Sequence, residues 1–211
     1  MKLRILNALA FSSILLFSCG EAATDQTEEN ATTENTATET ATYTVSVEAS
    51  SVNWRGEVAG VYGHEGYVTL QSGTIEVKGE TITTGEFVVD MTTFYPTDSA
   101  SYKDVDGGRI TDLQGHLTTA DFFDTETYPT SKFVITSVEG NMVKGNLTIR
   151  DKTNEETIEI SSQKVDANHF MASGKLTFDR QKYDVAWVHY MKDMVLSDDI
   201  QLTIALVATK G

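Results

Sequence analysis

Cysteine occurs once in these 211 residues and proline twice, while lysine and arginine together number 16 against 31 aspartates and glutamates. One cysteine excludes an internal disulfide. The basic shortfall gives a formal charge of −15, which repels nucleic acid and bare anionic lipid surfaces and favours neutral, cationic or greasy partners. The four histidines, His64, His116, His169 and His189, stand at no metal-ligand spacing. Neither a His-Glu-x-x-His motif nor a cysteine pair occurs, so no metal is expected. A Gly-x-Ser-x-Gly elbow and a phosphate-cradling glycine loop are missing too. Carboxylate pairs such as Asp198-Asp199 and Asp121…Asp124 are frequent, but coincidence supplies them in so acidic a chain. No catalytic residue and no cofactor is assigned.

What is present begins with MKLRILNALAFSSILLFSCG, where Lys2 and Arg4 precede an apolar run from Ile5 to Phe17. That run is short for a membrane span and reads as a signal peptide over residues 1–18. Leu-x-Ser-Cys at its end resembles the lipobox of bacterial lipoproteins. The resemblance implies that Cys19 is lipidated and becomes the first mature residue, and the alternative is an ordinary secretory signal. Two or more acyl chains anchor stably, so a cell-envelope lipoprotein is expected, held on a membrane in the periplasm or at the outer-membrane surface. Residues 19–42 then carry Glu21, Asp25, Glu28, Glu29, Glu34 and Glu39 among threonines, with no basic or aromatic residue. Such a segment cannot bury enough apolar surface to order itself and reads as a disordered, extended tether. It leaves residues 43–211 as the folded domain, with a formal charge of −11.

From Tyr43 onward the hydrophobic period is two. VKGNLTIR puts Val143, Gly145, Leu147 and Ile149 on one face; HFMASGKLTF does so with Phe170, Ala172, Gly174, Leu176 and Phe178; DIQLTIALVA with Ile200, Leu202, Ile204 and Leu206. SVNWRGEV, GYVTLQSGTIEV, TITTGEFVVDM, SKFVITSVE and EETIEIS are further strands. Gly79-Glu80, Gly140-Asn141 and Asp151–Asn154 supply turns between them. Short links favour antiparallel hairpins, and about eight strands with one apolar face each must close into a barrel or stack as a sandwich. The helix candidate is a short turn at Leu117–Phe123, capped by Thr118 or Thr119. His169 is expected on the surface and His189 packed among aromatics. His64 is either structural or turned into a cavity mouth.

GHLTTADFFDTETYPTSKF, from Gly115 to Phe133, resembles the central signature of the YceI-like, polyisoprenoid-binding family. The likeness extends through SSVNWRGEVAGVYGHEGYV, GEFVVDMTTF, VKGNLTIRDKT, SGKLTFDRQKYDV and DDIQLTIALVA, about Tyr43 to Ala208. One departure is AWVHYMKDMVLS, shorter than the Gly/Ser/Phe-rich loop of many relatives. The resemblance implies a lipocalin-like, extended antiparallel barrel with one short helix, whose apolar cavity holds an isoprenoid or another long-chain lipid. Its wall is expected from Trp54, His64, Phe87, Val89, Phe122, Phe123, Phe133, Ile135, Leu147, Ile149, Leu176, Phe178, Leu202 and Ile204. Arg180 is read either as a head-group anchor or as a turn-locking ion pair. Asp121 and Asp124 are expected to set turns or cap the short helix, while Phe122 and Phe123 turn inward to plug or line one end of the barrel and Tyr128-Pro129 fixes entry into a strand at Lys132. Gly145, Ala172 and Gly174 mark places where the wall recedes or where the sheet bends. A ligand-free docking scaffold is the alternative function, and an enzyme using His64 or His116 a third. The oligomeric state stays open, a dimer included.

Overall fold

The computed structural model describes residues 39–58, 62–188 and 195–211. The leader, Cys19, nearly all of the tether and His189 lie outside the described residues. Nine strands and one α-helix occur among them: β1 (Thr40–Val45), β2 (Ser51–Val58), β3 (Tyr62–Lys78), β4 (Thr81–Pro96), α1 (Ile110–Thr118), β5 (Thr130–Glu139), β6 (Met142–Ile149), β7 (Lys152–Val165), β8 (His169–Asp179) and β9 (Asp199–Lys210). β1 takes in Thr40–Thr42, which composition assigns to the tether.

Every pairing is antiparallel, and from β3 to β9 each strand joins its neighbour in sequence. β1 and β2 lie end to end in one slot between β3 and β9. Residues 40–44 face 78–74 of β3, and 52–58 face 68–62. Nine strands therefore make eight staves, and pairing of this broken stave with β9 closes the barrel. At the break Ser46 N–H donates to the Val207 carbonyl at 2.8 Å. The Ser50 hydroxyl then accepts from Val207 N–H at 3.0 Å, standing in for a missing rung of the ladder. Among the described residues every strand is paired on both sides over at least part of its length, which limits the free edge available to another chain.

Alternation places the apolar residues inside. On β6 Val143, Leu147 and Ile149 are buried; on β8 Phe170, Leu176 and Phe178. Burial of each such side chain contributes roughly 1.5–3 kcal/mol against the entropy of ordering it. Register shifts at Leu70/Ser72, Ile135/Ser137 and Ile160/Ser162 tighten the coil of the long strands. Gly145 and Gly174 pair with Ile135 and Ile160, the residues at two of these shifts. A Cβ on Gly145 would lie 2.6 Å from the Val134 carbonyl and against the Phe133 ring. These small residues admit sheet curvature and inward rings instead of widening the hollow.

The two ends of the barrel differ. One is closed by tight turns after β3, β5 and β7, with Gly79 and Gly140 at positive φ. Tyr43, Val77 and Phe170 fill it. The other end carries the two long connections, 97–129 with α1 and 180–198. The turn after β6 is also there and is tighter than Asp151–Asn154 implies. It is Arg150-Asp151, with Arg150 at φ 54°, and β7 has already begun at Lys152.

Candidate functional site

Beneath the long connections the barrel holds a cavity of about 810 Å³. Its wall is built one strand at a time: Trp54 from β2, Phe87 and Val89 from β4, Phe133 from β5, Leu147 and Ile149 from β6, Leu176 and Phe178 from β8, Leu202 and Ile204 from β9. Phe122, Phe123 and His64 border it at the mouth. Ile135 does not. It lies two residues further toward the closed end, on a gap of about 40 Å³ beside Ile82, Val143 and Phe170. Phe87, Phe133, Ile158, Ile204 and Leu206 touch both spaces and form the floor between them.

The mouth is lined by aromatic residues. Phe123 stacks on Phe94 at 4.9 Å and meets Phe122 edge-on at 5.0 Å. His116 stands edge-on to Trp187 at 4.7 Å and to Phe122 at 5.5 Å. The Phe-Phe pair is turned inward by its backbone: Asp124 adopts φ 48° and its carbonyl accepts from Thr127 and Tyr128 N–H groups. Arg150 donates to the carbonyls of Phe122 (3.3 Å) and Asp184 (2.7 Å) and sits 5.7 Å from the Tyr128 ring centroid. Among the described residues the Asp121 side chain caps no helix. It is exposed, and its charge acts on His116. The chain enters β5 at Thr130, two residues before Lys132.

The helix precedes the position expected for it. It spans Ile110–Thr118, where the Asp112 carboxylate accepts from Arg109 N–H at 2.9 Å at its start. Thr118 and Thr119 close its far end instead, their hydroxyls donating to the Gly115 and His116 carbonyls at 2.8 Å. Leu113, His116 and Leu117 share the face on the cavity, while Gln114 donates to the Phe94 carbonyl at 2.8 Å and pins the helix to β4. His116 Nε2 is buried with no hydrogen-bond partner among the described residues. Burial lowers the pKa of this ring, with Asp121 opposing, so the neutral form is favoured.

A polar cluster stands on the rim. His64 Nδ1 lies 2.8 Å from Asp98 Oδ2, and the Tyr102 hydroxyl donates to Asp98 Oδ1 at 3.0 Å. The Tyr102 ring stacks on His64 at 5.4 Å. Partial burial pushes the Asp98 pKa up, but hydrogen bonds from His64 and Tyr102 outweigh it and the net shift is downward. Burial and the neighbouring Asp98 together raise the Tyr102 phenol well above its ordinary value. Among the described residues no group of three His, Cys, Asp or Glu is placed to hold a metal ion.

Arg180 is not a head-group anchor. It does not border the cavity, and it is 2% exposed with four of its five N–H donors used. They go to the carbonyls of Ser197 (3.0 Å), Trp187 (3.1 Å) and Val185, and to the Asp198 carboxylate (2.9 Å). The ion pair is therefore with Asp198 across the 180–198 connection. Its sequence neighbour Asp179 accepts from Gln181 N–H instead. Pattern reading missed Phe94, Asp98, Tyr102, Leu113 and Trp187 around the mouth. Phe94 and Trp187 were visible as aromatics, whereas His64 and Asp98 are 34 positions apart with no local spacing to join them.

Fold and hollow together define a closed, up-and-down β-barrel of the lipocalin-like kind with an apolar interior cavity. A model of the YceI-like domain matches residues 43–208, and the chain belongs to that family. UPF0312 proteins of Staphylococcus epidermidis and Staphylococcus aureus are 35% and 36% identical to it over 82 and 76 residues. Those matches cover 35% and 33% of this chain and 47% and 44% of theirs, so the chain spans about half the length of the curated relatives it matches. Among solved structures, Burkholderia cenocepacia BcnA superposes with a TM-score of 0.59 at 21% identity, over 78% of this chain and 99% of BcnA. A polyisoprenoid-binding domain from Saccharophagus degradans, implicated in plant cell wall breakdown, does so with 0.52 at 12% identity, over 80% and 98%. At these identities the two structures establish the fold.

Proposed function

We propose that the protein holds or carries an isoprenoid or similar long-chain amphiphile in its barrel. The observation that carries this reading is the hollow of about 810 Å³, walled by Ile, Leu, Val and Phe from eight strands, β2 to β9. That volume lies within the roughly 300–1,000 Å³ of small-molecule sites. Each methylene buried there contributes about 0.8 kcal/mol, so a long tail binds tightly without polar help. The Saccharophagus degradans domain of this fold is a polyisoprenoid-binding domain, which agrees with such a ligand. Membership of a binding-domain family fits storage or transport instead of turnover.

The reading extends to location: a chain lipidated on Cys19 and held in the cell envelope by its acidic tether. The support is the leader sequence and the single cysteine at its end. Replacing Cys19 by Ala should move the protein from the membrane fraction to the soluble fraction. Native mass spectrometry of the purified protein, followed by organic extraction, tests the ligand. A stoichiometric co-purifying lipid is the expected result. Empty protein that also fails to take up long-chain lipids would leave only an anchored scaffold.

A further inference from the structure

We infer that the mouth selects an uncharged head bearing a hydrogen-bond donor, such as a hydroxyl, which donates to His64 Nε2 while the acidic rim turns anionic heads away. This rests on reading the hollow as a lipid site. Asp98 supplies only acceptors when ionised, so an Nδ1 at 2.8 Å from its oxygen must carry the proton. Tyr102 donates to the other carboxylate oxygen and leaves no second proton to share. With Nδ1–H given to Asp98, the ring in its uncharged form offers Nε2 as an acceptor, and this atom has no partner among the described residues. His64 borders the cavity and keeps 24% of its side chain exposed, so a head group at the mouth can reach it.

The surrounding charges decide the rest. Arg55 pairs with Glu57 (2.9 Å) and Glu65 (3.3 Å). Arg109 meets Asp104 (2.9 Å), Asp106 (3.7 Å) and Asp112 (4.0 Å). With Asp98 the rim holds six carboxylates against Arg55, Lys103 and Arg109, and they remain in excess even with His64 protonated. Lys132, the other cation bordering the cavity among the described residues, is held by Glu86 at 2.8 Å. A phosphate or diphosphate head would meet surplus negative charge and cations already neutralised.

Displacement of the fluorescent probe N-phenyl-1-naphthylamine by three ligands of one chain length tests this: geranylgeraniol, its methyl ether and its diphosphate. The alcohol should bind about five- to tenfold more tightly than the ether, one hydrogen bond apart. At low salt the diphosphate should bind at least about tenfold more weakly than the alcohol, and the gap should narrow as salt screens the rim. His64→Ala should erase the alcohol–ether difference. Asp98→Asn, whose amide can donate to Nδ1, moves the ring proton to Nε2 and should let the ether bind as tightly as the alcohol. Equal affinities for alcohol and ether in the unaltered protein, or a preference for the diphosphate, overturn the head-group inference and leave the lipid site standing. If none of the three displaces the probe, the lipid reading falls and this inference falls with it.

Discussion

Two identical substitutions, placed at opposite ends of the barrel, measure whether the interior is hollow. Val89 on β4 borders the cavity and is partly buried; Val77 on β3 fills the closed end and is 1% exposed. A phenylalanine in place of valine adds about 50 Å² of apolar surface, worth at most about 1.3 kcal/mol if fully buried. At residue 89 the new ring has space to enter, and after its rotamer entropy the change should lie between neutral and about 1 kcal/mol stabilising. At residue 77 the same ring has no space and should cost about 1–3 kcal/mol through displaced neighbours. The two variants should thus separate by about 1–4 kcal/mol in urea unfolding, with equal m-values as the check on a common mechanism. Bound lipid must be extracted first, because ligand raises apparent stability by mass action. If Val89→Phe proves as costly as Val77→Phe, atoms already fill that space and the argument from the cavity is wrong.

Three further outcomes follow from the mouth. Arg180→Met should destabilise by about 3–5 kcal/mol, since it strips three carbonyls and Asp198 of their buried donor, and thermal unfolding should show it. Phe123→Ala removes a ring stacked on Phe94 and should cost about 3–5 kcal/mol, while also lowering retained lipid in extracts. Acid should weaken the fold through two groups whose folded pKa values are depressed. The contribution of Asp98 is full above its ordinary value near 3.8 and is lost as pH falls through the lower folded value. His116 takes up its proton more readily when unfolded, so stability should already decline as pH drops below about 6.5, and His116→Gln should flatten that first slope in a urea series.

The strands were legible because period-two alternation reports directly on which face is buried. VKGNLTI becomes β6 with Val143, Leu147 and Ile149 inside, as the pattern predicts. Closure as a barrel was not legible. It depends on β1 and β2 sharing one stave, a matter of register between residues 40–58 and 62–78 that no local signal encodes. The helix was misplaced because threonines suit either end of a helix, and Asp112 competed successfully for the start. Ile135 shares a face with Phe133, yet the large ring of Phe133 divides the interior between them, and alternation carries no information on depth along the barrel axis. The rim cluster was invisible because His64, Asp98 and Tyr102 are gathered by the fold alone.

Thr40, where the first strand starts, lies at the blocked pole of the barrel, and the opening lies at the other. An acyl anchor upstream would therefore be leashed to the base of the vessel. Some twenty residues of slack reach at most about 70 Å. In the proposed lipidated form, a pull transmitted along the chain would act at that blocked pole, with the lip at the opposite one.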